Sequence, residues 1–186
     1  MPVMVTLIVV LAVIVVLALA LALAYNRLVT LRNRTGNAWA QVDVQLRRRY
    51  DLIPNLVEAV KGYAAHERQT FEEVVAARNT AQAAGSVAEK AAAENDLGGV
   101  LRRLFALAEA YPALRASENF QALQADLRDA EDRIAVARQI YNDSTLTYNN
   151  AVQTVPTNFV AALFRFAARD FFETGDEARS VPKVQF

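Results

Sequence analysis

Residues Pro2–Ala24 carry no charge and nothing more polar than Thr6; beyond them, apolar residues recur three and four apart among charged ones. The first pattern predicts a helix of about 35 Å, slightly longer than the hydrocarbon core of a bilayer. In lipid every backbone amide must bond within its own segment, so a helix is the default for such a run. The second pattern predicts amphipathic helices, each with one face to bury.

Punctuation divides the remainder into four long helices. The first continues from the apolar run through Arg49, with Leu28, Leu31, Ala38, Val42 and Leu46 as its stripe, Trp39 beside it and Gly36 as its weak point. A second is expected to open near Asp51, whose carboxylate can cap free amides, with Pro54 in the first turn where its missing donor does little harm. Its apolar side is Ile53, Leu56, Val57, Val60, Phe71, Val74 and Val75, and it ends by Gly85. Ser86 with Glu89 is a capping-box pattern that starts the third. That helix pauses at Asn95-Asp96 and Gly98-Gly99, resumes through Leu101, Leu104, Ala108 and Tyr111, and stops at Pro112. From Ser117 the fourth places Phe120, Leu123, Leu127, Ala130, Ile134, Ala137, Tyr141, Ser144 and Tyr148 on successive heptad positions. Short connections at Gly85-Ser86 and Pro112–Ala116 imply antiparallel neighbours. The expected fold is all-α: a transmembrane anchor (1–24), an up-down four-helix bundle (25–150) and an aromatic-rich segment with a short amphipathic helix (151–186).

In that topology the fourth helix returns to the lipid surface, where the last segment begins. Phe159, Phe164, Phe166, Phe171 and Phe172 alternate there with Arg165 and Arg169. Two readings fit: a helix lying in the membrane interface with its arginines at the headgroups, or phenylalanines that cover the open end of the bundle. The spread of the aromatics beyond one narrow face favours the second.

A cleaved secretory signal competes with the anchor, because Ala20-Leu21-Ala22 and Ala22-Leu23-Ala24 resemble cleavage sites. No Lys or Arg precedes the run, and it exceeds the usual apolar length of a signal, so a retained anchor is expected. Arg27, Arg32 and Arg34 follow it directly, which places the N-terminus outside and the larger part in the cytoplasm, at the inner membrane. Charge is balanced at 20 basic and 20 acidic residues, without the basic stripe that nucleic-acid binding needs. Arg47-Arg48-Arg49 reads as a solvated or ion-paired helix face. The absence of cysteine removes disulfides, thiolate nucleophiles and thiolate metal sites.

Several stretches together resemble the LemA family of bacterial membrane proteins. They are Tyr25-Asn26, Trp39-Ala40-Gln41-Val42 and Arg49-Tyr50-Asp51-Leu52-Ile53-Pro54-Asn55-Leu56-Val57. Glu109-Ala110-Tyr111-Pro112, Glu118-Asn119-Phe120, Ala137-Arg138, Tyr141-Asn142 and Tyr148-Asn149 follow, then Pro156, Asn158 and the ending Val184-Gln185-Phe186. The resemblance implies one N-terminal membrane helix and an antiparallel helical bundle, and supplies no activity. Arginine stands where the family often has lysine, which keeps the charge.

The residues exclude the usual chemistry of such bundles. A di-iron site needs two Glu-x-x-His pairs, and His66 is the single histidine, with Tyr63 three residues before it. Beside Glu67 and Arg68, His66 reads as a residue on a wet helix face rather than a metal ligand. Ser86 and Ser117 read as caps, and neither Ser144 nor Ser180 has a base at a predictable distance. Gly98-Gly99 lacks the rest of a phosphate loop, and Glu72-Glu73 diverge by about 100° on a helix. Glu131 with Arg138, and Asn142 with Asn149, repeat at seven beside the fourth stripe, as ion pairs and amide contacts that fix register. Glu109 and Glu58 are the candidate partners of Arg138.

No catalytic, cofactor-binding or metal residue is expected, and the chain reads as a non-enzymatic membrane protein that presents helical surfaces to protein partners. Ala18, Ala20, Ala22 and Ala24 permit close helix approach and hence a homo-oligomer. The rivals are a membrane-shaping protein acting through its aromatic tail and an enzyme with a site hidden in the bundle.

Overall fold

The computed structural model describes residues 2–173; the closing Val184-Gln185-Phe186 and Ser180 lie outside the described residues. Among the described residues the secondary structure is helical without strands: α1 (Pro2–Lys61), α2 (Arg68–Ala83), α3 (Val87–Glu109), α4 (Pro112–Arg115), α5 (Glu118–Gln153) and α6 (Thr157–Leu163). The chain groups into two compact units, one of Met1–Ala38 with Asn142–Arg169 and one of Trp39–Tyr141 with the chain from Asp170. Helices α1 and α5 contribute to both.

The break expected at Asp51 does not occur. Helix α1 runs through Asp51 and Pro54 to Lys61, and the turn falls at Gly62–Glu67. Asp51 therefore caps nothing, and Pro54 is an interior proline. Such a proline leaves the carbonyl four residues earlier without its helical donor. That carbonyl belongs to Tyr50, and Arg78 of α2 supplies the missing bond, its Nε donating at 2.7 Å. The helix persists because a neighbouring side chain replaces the lost amide. It also persists because Leu46, Tyr50, Ile53, Leu56, Val57 and Val60 form one continuous buried stripe across the proline.

The capping box at Ser86 is present: the Ser86 hydroxyl accepts from the Glu89 amide at 3.1 Å, and the Glu89 carboxylate accepts from the Ser86 amide at 3.0 Å. The Ser86 and Gly85 amides, both donating to that carboxylate, hold the Glu89 carboxyl below its usual range. The pause expected at Asn95–Gly99 is absent, and α3 is continuous there. All nine heptad positions of α5 from Phe120 to Tyr148 are buried, as are Phe71 and Val74 of α2; Val75 is exposed.

In the first unit, Leu28, Tyr148, Ala151, Val160, Ala161 and Phe166 form one core cluster, with Ala24 and Leu31 packed against it. An amphipathic helix through Phe172 is not formed: α6 ends at Leu163, and the chain from Phe164 to Glu173 is not helical. The ending has the geometry of a Schellman motif. The Phe166 amide bonds Ala161 O at 2.9 Å, the Arg165 amide bonds Ala162 O at 3.4 Å, and Arg165 is left-handed at φ 56°. The apolar contact that accompanies this motif is Phe166 against Ala161.

The Pro54–Arg78 pairing yields a test. Arg78→Met is expected to destabilise the detergent-solubilised protein by about 1.5–3 kcal/mol, the worth of a hydrogen bond from a charged donor. In a Pro54→Ala background, which restores the amide, the same substitution should cost much less. Equal costs in both backgrounds, measured by chemical denaturation, would contradict the assignment.

Candidate functional site

The chemistry of the second unit gathers where the buried stripe of α1 carries two polar residues. Arg49 and Tyr50 sit between Leu46 and Ile53 at helical spacing, so both point inward; Arg49 is 3% exposed and Tyr50 1%. A guanidinium at such depth needs anionic partners. Arg49 forms an ion pair with Glu94 of α3, itself buried, and a second with Glu131 of α5 at 2.5 Å. The Tyr50 hydroxyl donates to the same Glu94 carboxylate. Burial pushes the Tyr50 phenol up to about 12, opposed by the Arg49 charge and aided by that of Asp43. Lys90, also buried, reaches Asp43 at 3.2 Å and adds a second bridge between α1 and α3.

This cluster forms part of the wall of a cavity of about 940 Å³, which Arg102, Arg128 and Arg138 also line. Its charges nearly cancel: four arginines face Glu94, Glu131 and Asp132. Phe172 closes one side, 1% exposed, with the Arg138 guanidinium 5.4 Å from its ring centre and Trp39 at 5.6 Å. Burial lowers the affinity of Arg138 for its proton, the Glu131 charge opposes this, and the Arg49 charge adds to it. The cavity offers charge and hydrogen bonds, and among the described residues no histidine, serine or threonine lines it.

A second concavity, about 730 Å³, is an apolar groove on the surface between α1 and α5. Its floor is Ala40, Val44, Val136, Ala137 and Ile140, and Asp129, Asp132 and Arg133 stand along its edge. Val44 and Val136 are each 60% exposed and Ile140 45%.

The residues singled out in the sequence separate into three groups. Tyr50 enters the buried cluster, Glu131 meets Arg49 from the half-exposed rim, and Arg138 lies beside them. Glu58 bonds Lys61 at 2.9 Å rather than serving Arg138. Asp51, Pro54 and Asn55 lie on the exposed side of α1, Glu109 and Asn119 are exposed, and Tyr111 with Pro112 sets the start of α4. The remaining group holds the C-terminal chain. Within the second unit the Tyr141 hydroxyl donates to Asp170 O at 2.7 Å. Within the first, the Tyr148 hydroxyl donates to Ala167 O at 2.9 Å. There the Asn149 amide also brackets Arg169, donating to its carbonyl and accepting from its amide, both at 2.9 Å. Asn149 thus bonds non-helical backbone rather than a neighbouring helix. Asn142 and Asn158 are half-buried, and Pro156 follows a cis peptide bond. Phe166 and Phe172 are buried, as the covering role requires, whereas Phe159 is 69% and Phe164 51% exposed; Phe171 is at the margin of exposure.

His66 is exposed, in the turn between α1 and α2 rather than on a helix. Among the described residues no group of three or more His, Asp or Glu stands ready to hold a metal ion. Arg47 and Arg48 pair with Asp43 and Asp129 at the surface, as an ion-paired face would. Sequence reasoning does not single out Glu94, Lys90 or Asp43 of this cluster, and it misses the inward face of Arg49. For Arg49 the signal was position: the helix places 49 on the stripe of 42 and 46, which continues through 53 and 57.

Known proteins resemble this chain in sequence. The model of the LemA family matches residues 38–186. Magnetosome protein MamQ of Magnetospirillum gryphiswaldense is 27% identical over 189 residues, covering 86% of this chain and 70% of that protein. Magnetosome proteins MamQ 1 and MamQ 2 of Paramagnetospirillum magneticum are each 26% identical with the same coverage.

Two measurements test the cluster. Glu94→Leu strands the Arg49 charge and is expected to cost about 3–5 kcal/mol. The Arg49→Leu/Glu94→Leu pair should be less destabilised than either single change; additive losses would contradict the ion pair. The raised Tyr50 pKa works at alkaline pH. The folded state holds that proton more tightly, so its stabilisation is full below pH 10, the ordinary tyrosine value, and is lost as pH rises toward 12. Tyr50→Phe should flatten the fall in stability across that window, and an unchanged slope would refute the burial of the phenol.

Proposed function

We propose a function on one premise: the chain belongs to the LemA family. It is a single-pass membrane protein, anchored by the start of α1, whose helices form an antiparallel bundle that binds other proteins without catalysing a reaction. Pro2–Leu23 is exposed throughout, and α1 is long and apolar enough there to cross a membrane. Three arginines follow within the next turns, so by the positive-inside rule the bundle is cytoplasmic. At 26–27% identity the magnetosome designation stays with the relatives that carry it.

The observation that carries the protein-binding reading is the groove between α1 and α5. An isolated exposed valine needs no explanation, but Val44, Val136 and Ile140 form a contiguous apolar floor with charges of both signs along its edge. That is the form of a groove that accepts the apolar face of an amphipathic helix. The buried cluster suits a structural role, because the Arg49 guanidinium is paired with Glu94 and Glu131 of two other helices, although its buried Nε has no hydrogen-bond partner among the described residues.

The test is photocrosslinking in cells, with a photoreactive residue at Val136 or Val44 of the full chain and at exposed Ala122 as the control. The proposal expects one discrete product, either with a partner protein or with a second copy, from the two groove positions and none from Ala122. Labelling that is equal at all three positions, or absent from the groove, would overturn it.

A further inference from the structure

We infer that α6 and the residue after it form a foot that rests in the headgroup layer of an anionic phospholipid bilayer, beside the point where α1 leaves the membrane. The inference rests on the anchor reading and adds a second membrane contact to it.

Four observations within the first unit converge. The first is position. The buried face of α6, Val160 and Ala161, packs in the cluster with Leu28 and Ala24, and Ala24 is the last residue of the apolar run. Tyr25, the next residue, stacks 4.8 Å from the Phe164 ring. The second is what α6 leaves outside. Phe159 and Leu163 lie four apart on α6 and are 69% and 68% exposed; Val155, before the helix, and Phe164, directly after it, are 72% and 51% exposed. In water this is a costly face for seven residues of helix, and at an interface it is the apolar side of an amphipathic segment.

The third observation is charge. Beyond the apolar run, this unit holds Arg27, Arg32, Arg34, Arg165 and Arg169 against one acid, Asp143, in a chain whose total charge is zero. The positive excess is therefore confined to the unit that contains the anchor, where anionic headgroups would meet it. The fourth is Arg165. It occupies the left-handed position that closes the Schellman motif, where glycine is the easy choice. A cation held there at a conformational cost is what a headgroup contact at the end of the foot would favour. The aromatic residues thus divide: Phe166 and Phe172 cover protein, whereas Phe159 and Phe164 face lipid.

The chain has no cysteine, so a single introduced one takes a fluorophore uniquely. The full chain is reconstituted in vesicles of phosphatidylcholine and phosphatidylglycerol that carry a nitroxide either near the headgroup or deep in the acyl chains. Labels are placed at Phe159→Cys and Leu163→Cys in the foot, and at Leu11→Cys in the anchor. Asn37→Cys, exposed on α1 about 18 Å beyond Tyr25 at 1.5 Å per residue, is the aqueous control. The foot labels should lose most of their emission to the shallow nitroxide and little to the deep one. Leu11 should lose it to the deep nitroxide, and Asn37 to neither. Foot labels that behave like Asn37 while Leu11 is quenched would overturn the foot and leave the anchor standing, including where a second copy of the protein covers the patch. An unquenched Leu11 would remove the anchor, and the foot with it. All four substitutions are at exposed positions; should one foot variant misfold, the other carries the same expectation.

Discussion

A guanidinium buried to 3% exposure cannot stand alone, and that constraint on Arg49 organises the second unit. Its charge demands carboxylates from two other helices, Glu94 and Glu131, and each demand fixes the register of α3 or α5 against α1. The neighbouring residues extend the same node. Tyr50 gives its hydroxyl to Glu94, and its carbonyl, left open by Pro54, takes Arg78 from α2. The stretch from Arg49 to Pro54 therefore ties α1 to three other helices by polar bonds set inside an apolar stripe. Hydrophobic burial is non-directional, and these bonds supply the direction.

A second set of polar bonds solves a different problem. From Phe164 to Glu173 the chain is neither helix nor strand, yet its backbone groups still need partners where it packs on the protein. Side chains of α5 supply them: Tyr148 and Asn149 within the first unit, and Tyr141 within the second. Each reaches a main-chain atom with its polar tip, and the Tyr141 and Tyr148 rings also fill the core while their hydroxyls satisfy the segment. With its backbone held, the chain can bury Phe166 and Phe172 and leave Phe159 and Phe164 to other surroundings.

Periodic burial was legible in the sequence, and special chemistry was not. The heptads of α5, the capping box at Ser86 and the apolar run of α1 all rest on local rules, and all are present. Pro54 was misread because interior prolines usually end helices, and nothing local reveals that Arg78, far along the chain, will replace the lost amide. Arg49 was hidden for another reason: a run of three arginines reads as a solvated or ion-paired face, and that rule does not tell which of the three continues the apolar stripe inward. Asn149 was read as a register contact between helices because its spacing shows a face and not the atom that will meet it. The glycine pair at Gly98-Gly99 suggested a pause in α3, but the burial of Leu97, Val100 and Leu101 on either side outweighs the propensity cost of two glycines.

The central claim is that Arg49 is locked between two carboxylates inside the protein, and nuclear magnetic resonance of arginine side chains in detergent micelles tests it most directly. The account predicts that the guanidinium protons of Arg49 are resolved from one another, with slow rotation and slow exchange with water, whereas those of surface Arg47 are averaged and fast. An Arg49 signal that rotates and exchanges like that of Arg47 would contradict it.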